Sequence, residues 1–260
     1  MNDNREIEYT EDFICRLELA FGEGFLSPGG QEEVAKIVED IDLKDKIVLD
    51  IGVGIAGPAC LLIEEHGAEK VIGIDVEDPV LRIAAKTVAN RGLQDQVILQ
   101  KVDPGPLPFD DNSFDIVFSK DSIIHIPDKL ALFKEVYRTT RPGGWVIMSD
   151  WYCGEKPFTQ EMKQWLKAIG LSFAMTPIQH DGSFMEQAGF VDCETLDRNQ
   201  WFTKLSQDVV KRLKGPDYEK MAAALGKEGA QDWISRAQMR AVVSEQGQLR
   251  PGHLRGRKPG

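Results

Sequence analysis

The chain has 260 residues, 42% hydrophobic and 28% charged, enough to bury a sizeable core in one large domain or two small ones. It carries 31 Lys and Arg against 42 Asp and Glu, a net charge of −11. That balance argues against a nucleic-acid backbone or an anionic membrane as the main partner, since both attract a basic face. The cysteines Cys15, Cys60, Cys153 and Cys193 form no C-x-x-C pair and have no histidine at zinc-ligand spacing. They read as free thiols in a reducing compartment, with no metal site. The opening MNDNREIEYTED is polar and acidic, unlike a signal peptide. No apolar run approaches the ~18 residues of a membrane span, so the expected setting is the cytoplasm.

Ile14, Leu17 and Phe21 recur at helical spacing over 9–21. Gly22–Gly30 (GEGFLSPGG) is a Gly- and Pro-rich loop, and Val34, Ile37, Val38 and Ile41 mark a helix over 31–41. Strands follow over 46–51, 70–76, 97–102, 114–118 and 144–149, with helices over about 57–66, 79–91 and 129–140 between them. This alternation predicts a doubly wound, mostly parallel α/β sheet of about seven strands, Rossmann-like, with right-handed crossovers. Beyond residue 151, helical patterns over 158–171, 182–189, 203–226 and 230–243 predict a cover over the site, with an antiparallel sheet edge. Arg250–Lys258 is basic and rich in Gly and Pro, and reads as a frayed tail. The expected divisions are an N-terminal helix and lid loop (1–30), a cofactor-binding core (31–150), and a part holding the remaining strands, the cover and the tail (151–260).

Val48–Gly57 (VLDIGVGIAG) follows a strand, opens a helix and matches G-x-G-x-x-G. Gly52 and Gly54 would let the backbone approach a ligand beside free N–H groups at the helix start. Asp75, ending the next strand, can accept hydrogen bonds from two ribose hydroxyls, with Val76 beside it. The pattern suits two cofactors. NAD would set a pyrophosphate near Asp50, negative against negative. S-adenosylmethionine (SAM) sets an ammonium there, and Asp50 therefore tips the reading toward SAM. A third possibility is a packing turn without a cofactor. Asp103, with Pro104, follows the third strand within reach of an adenine amino group. In these places, across roughly residues 30–150, the chain resembles class I SAM-dependent methyltransferases.

Two segments narrow the likeness. Phe21–Gly30 (FGEGFLSPGG) and Ser119–His125 (SKDSIIH) resemble phosphoethanolamine N-methyltransferases, with an F-G-E-x-x-x-S-x-G-G loop over SAM and an R-D-x-I-L-H-type catalytic segment. The resemblance implies Ser27 and Lys120 at the cofactor, Lys120 standing where the family usually has Arg, and Asp121 and His125 as catalytic residues. It extends more weakly to Ser149–Cys153 (SDWYC), Ala188–Phe190 and Asp232-Trp233. A histidine with an unperturbed pKa of ~6.5 suits removal of the amine proton, and Asp121 can stabilise positive charge on nitrogen. At spacing i, i+4 the two would share one face of a helix; a helix cap and a core histidine are the plainer reading.

The family's phosphate-gripping residues are missing. Its D-Y-C is Asp150-Trp151-Tyr152-Cys153 here, and its Lys-Gln-Arg-x-Tyr stretch falls near Leu166–Leu171, which lacks Arg and Tyr. Arg255, Arg257 and Lys258 are possible substitutes. Phe25, Trp151, Tyr152 and Trp165 are the candidates for the acceptor, since aromatic faces suit methylated ammonium or sulfonium groups. The expected activity is methyl transfer from SAM to a small polar molecule, foremost at an amine nitrogen of a phosphoethanolamine-like, amino-acid or betaine-precursor substrate. S-methylation of a thioether such as methionine, an NAD-dependent oxidoreductase and a non-catalytic SAM-binding subunit are the alternatives. The oligomeric state stays open.

Overall fold

The computed structural model describes residues 9–260. The expectation for the extreme N-terminus therefore lies, for residues 1–8, outside the described residues. Seven strands form one sheet: β1 (Ile47–Ile51), β2 (Lys70–Asp75), β3 (Val97–Lys101), β4 (Phe114–Lys120), β5 (Thr140–Cys153), β6 (Val191–Asp197) and β7 (Leu249–Arg257). Their order is β3-β2-β1-β4-β5-β7-β6. Strands β1 to β5 pair in parallel, whereas β7 runs antiparallel to both β5 and β6.

Period-two alternation divides the core into two layers. Val48 and Phe118 pack with Val34 and Leu62 on one face; Leu49 and Val117 pack with Phe133 and Met148 on the other. Helices α1 (Glu11–Phe21), α2 (Gly30–Ile37), α3 (Gly57–Glu64), α4 (Asp78–Asn90) and α5 (Lys129–Thr139) accompany the parallel strands. Asp128 starts α5 by accepting the Ala131 N–H at 2.9 Å. Strand order reverses between β1 and β4, which opens a crevice at the carboxyl ends of these strands. Over that end lie α6 (Gln160–Ile169), α8 (Asn199–Lys214) and α9 (Tyr218–Glu245), while α7 (Ile178–Ala188) packs against α5. Gly226, at φ 73°, breaks α9 where the sequence pattern ends a helix.

Two expectations are corrected. Arg250–Lys258 is no frayed tail. It forms β7, paired with β5 from Trp145↔Arg257 to Cys153↔Leu249. Its glycines are packing positions: a Cβ on Gly252 would lie 2.5 Å from Ile178, and one on Gly256 2.7 Å from Met185. Its cations answer the acidic edge strand β6, with Arg255 on Glu194, Arg257 on Asp192 and Arg250 on Asp197. Lys258 donates to the carbonyls of Tyr137 and Thr140, both at 2.8 Å. Second, the strand expected over 144–149 is longer at both ends and takes in Arg141-Pro142-Gly143-Gly144. That stretch lies inside the 14-residue β5, as an irregularity at which Gly143 takes φ 78°.

Candidate active site

The glycine turn after β1 takes left-handed backbone at Gly52 (φ 72°) and Gly54 (φ 56°). A Cβ on Gly52 would stand 1.7 Å from Ser122 Oγ, and one on Gly57 2.1 Å from the Gly24 carbonyl. These glycines thus admit the segment after β4 and the 22–30 loop. Asp75 braces the turn: Gly54 N–H donates to Oδ2 at 3.2 Å and Glu77 N–H to Oδ1 at 3.1 Å. Burial pushes Asp75 up to about 6, partly offset by these donors. Val102 N–H donates to the Asp75 carbonyl at 3.0 Å, which sets the exposed Asp103 and Pro104 beside the end of β2. Val76 is exposed at the same end.

Asp50 is 1% exposed. Its Oδ2 finds no hydrogen-bond partner among the described residues. Burial, with a smaller contribution from Asp75, pushes it from 3.8 to about 8. An unpaired carboxylate in such a place costs several kcal/mol unless a cation or a proton answers it. The donor set therefore fits a ligand carrying an ammonium group, as SAM does.

At the end of β4, Asp121 takes φ 54° and a single 3-10 turn, Ile123–His125, follows. The expected shared helical face is corrected: Asp121 is left-handed and lies outside the single turn that carries His125. Asp121 is not a helix cap. Its Oδ1 accepts Ser149 Oγ at 3.0 Å and its Oδ2 accepts Lys120 Nζ at 2.6 Å. Lys120 also donates to Ser27 Oγ at 2.7 Å and to the Pro28 carbonyl at 3.1 Å. All three ammonium protons are thereby engaged within the protein, so Lys120 ties the loop to Asp121. His125 Nδ1 donates to the Ser172 carbonyl at 2.9 Å, and Tyr9 Oη lies 3.2 Å from Nε2. A carbonyl can only accept, so in the neutral ring the proton sits on Nδ1 and Nε2 is the basic nitrogen. Lys129, buried and facing Asp150 and Asp181, donates to the Ile123 carbonyl and braces the turn that carries His125.

Asp121 and His125 border a cavity of about 780 Å³, open solvent at its mouth included. Its walls come from α1, the loop at Leu26-Ser27, Trp151 on β5, Trp165 on α6, Phe173, and Trp233, Arg236 and Arg240 on α9. Trp151, Trp165 and Phe173 stand 6.0 to 6.1 Å apart, ring to ring. Of the aromatic acceptor candidates, Trp151 and Trp165 border the cavity. Phe25 and Tyr152 do not, which corrects that assignment. Phe25 is buried among Val34 and its neighbours, where the loop turns inward. Tyr152 follows Trp151 along a strand, so it faces the opposite layer, among Ile178 and Met185.

Arg240 was not among the candidates drawn from the sequence. It is 7% exposed, and burial lowers it to about 10, still cationic at neutral pH. Its Nε has no partner and no carboxylate pairs with it among the described residues. The Phe21 and Phe202 rings lie 5.3 and 5.9 Å from its guanidinium carbon. Arg236 pairs with Asp232 at 2.9 Å. One signal for Arg240 was available: it continues the buried stripe of Ala230, Ile234 and Ala237, where a cation is out of place.

Residues 49–148 match the model of a methyltransferase domain. Phosphoethanolamine N-methyltransferase 1 of Arabidopsis thaliana is 32% identical over 229 residues, 88% of this chain and 45% of that protein. The phosphoethanolamine N-methyltransferase of Plasmodium falciparum is 27% identical over 210 residues, 79% of this chain and 77% of that protein. The structure of phosphoethanolamine N-methyltransferase 2 of Haemonchus contortus, with phosphomonomethylethanolamine and S-adenosylhomocysteine, superposes with a TM-score of 0.89. It is 26% identical and covers 97% of this chain and 59% of its own. The chain spans about half the length of the Arabidopsis relative. Fold, glycine turn and domain match define a class I SAM-dependent methyltransferase domain, which sets aside the NAD-dependent alternative. Within that class the chain resembles the phosphoethanolamine N-methyltransferases over nearly its whole length.

Proposed function

We propose that the protein methylates the amine nitrogen of a small molecule that also carries an anionic group. The observation that carries this reading is Arg240, a buried and uncompensated guanidinium in the cavity that Asp121 and His125 border. The names of the relatives agree with amine methylation.

When bound, SAM supplies a methyl group activated on a sulfonium. Asp50 answers the ammonium of its methionine part, and Asp75 accepts from the ribose hydroxyls. Gly52 and Gly54 allow close backbone approach. Asp103, with Val76 and Pro104, borders the adenine, and Ser27 covers the cofactor from Gly22–Gly30, which we read as a lid that excludes water. Lys120 holds Ser27 and Asp121 in register. Asp121 orients the amine and stabilises the charge that grows on nitrogen. His125 Nε2 takes the amine proton through the Tyr9 hydroxyl that donates to it, while the Ser172 carbonyl fixes the ring. Positioning supplies much of the rate, because the transfer is an in-line displacement.

Radiolabelled SAM, offered with amines that carry an anionic group and with ethanolamine, tests the reading. Label should pass to nitrogen of the former. His125→Ala should lower kcat by about 100-fold or more while SAM binding stays intact. Label on sulfur of methionine alone, or loss of SAM binding in the variant, would overturn the assignment.

A further inference from the structure

Charge counting across the cavity narrows the acceptor. Three cations lie in or beside its wall. Lys120 is paired with Asp121 at 2.6 Å and Arg236 with Asp232 at 2.9 Å. Arg240 remains, so the wall carries a single uncompensated positive charge among the described residues. Arg236 Nε keeps only its ion pair with Asp232, and two further buried donors in this wall lack any partner: Arg240 Nε and Trp165 Nε1, on a side chain that is 0% exposed. Both sit among aromatic rings, where an unmet donor is costly.

The nucleophilic nitrogen must enter the reaction uncharged. An amino acid in that form carries one negative charge. A phosphate monoester carries about 1.5 to 2 negative charges at neutral pH. One guanidinium balances the first and leaves the second with buried negative charge unanswered. The guanidinium fork, Nε with one Nη, also matches the two oxygens of a carboxylate.

We infer that the anionic group of the acceptor is a carboxylate, held by Arg240 with Trp165 Nε1 as a further donor, and that the acceptor is a small amino acid or its N-methylated form. Trp151 and Phe173 offer ring faces to a methylated nitrogen. The inference rests on the amine-methylating reading above. It departs from the phosphate in the names of the relatives.

The full chain with labelled SAM provides the test. The acceptors are glycine, sarcosine, dimethylglycine, β-alanine, phosphoethanolamine, ethanolamine and the methyl ester of dimethylglycine. At least one amino acid should exceed phosphoethanolamine in kcat/KM by about 100-fold. The methyl ester, which keeps the amine and loses the charge, should fall by a similar factor with the unaltered protein. Arg240→Met should raise KM for the amino acid by about 100-fold and leave SAM affinity unchanged, with partial recovery in Arg240→Lys. Phosphoethanolamine as the better acceptor overturns the carboxylate and leaves the amine reading intact. An ester as good as the acid overturns the role of Arg240. SAM binding without transfer to any amine overturns the amine reading itself.

Discussion

Asp50 is a carboxylate with no answer inside the protein, and this makes cofactor binding pH-dependent. Burial first and Asp75 second raise it from 3.8 to about 8. A raised value in the folded state favours the protonated carboxyl, so ligand-free stability is lost as pH climbs through that window. An arriving ammonium must expel the proton. SAM affinity should therefore rise with pH, by up to about tenfold per unit, and level off above about 8. Titration calorimetry in buffers of differing ionisation enthalpy should read about one proton released per site at pH 7, and none in Asp50→Asn. An equal release in the variant would detach Asp50 from the ammonium. Asp50 was legible in the sequence as a candidate because it stands two residues before the first glycine, and the structure finds it buried and unpartnered there. Phe25 and Tyr152 were misassigned because residue type says nothing about which face of a loop or strand a ring occupies. Arg240 went unseen because its value lies in lacking a partner, and that is a property of three-dimensional neighbours.

Among the elements, the 22–30 loop depends on two contacts from distant parts of the chain. Gly24 lies on Gly57 at the start of α3, and Lys120 at the end of β4 holds Ser27 and Pro28. Lys120→Met should free the loop, so that limited proteolysis within 22–30 accelerates. In the unaltered protein SAM should slow that cutting. Unchanged cutting in both comparisons would count against a lid. Most elements were legible: apolar periodicity located β1 to β5 and the flanking helices to within a few residues. The Asp121–His125 segment was not, since a strand ending in a left-handed residue and one 3-10 turn leave no periodic trace. The C-terminal strand misled for a different reason. Gly, Pro and Arg signal loops in isolation, yet here the glycines make room for Ile178 and Met185 and the arginines meet an acidic neighbour.

For the molecule as a whole, β7 joins the helical cover to the parallel sheet. It lies between β5 and β6, buries Leu249 and Leu254, and its His253 Nε2 stands 2.7 Å from Glu33 of α2. Removal of 249–260 should strip β6 of its partner and open the core. The shortened chain should show no cooperative thermal transition by circular dichroism at conditions where the full chain does; a retained sharp transition would show β7 to be dispensable. Among the described residues no helix is long and apolar enough to cross a membrane, and no cluster of acidic, His or Cys side chains could hold a metal ion.

The amino-acid order by itself determined the alternation of strands and helices, the glycine turn and the acidic residues at the strand ends beside it. All of these are local: a hydrophobic period or a few residues at fixed spacing carries them. Only the tertiary structure decided which rings face the cavity, that the basic C-terminal segment is an internal strand, and that one guanidinium on α9 stands uncompensated between Phe21 and Phe202. Charge balance and burial are sums over neighbours distant in the chain, and folding is what brings those neighbours together.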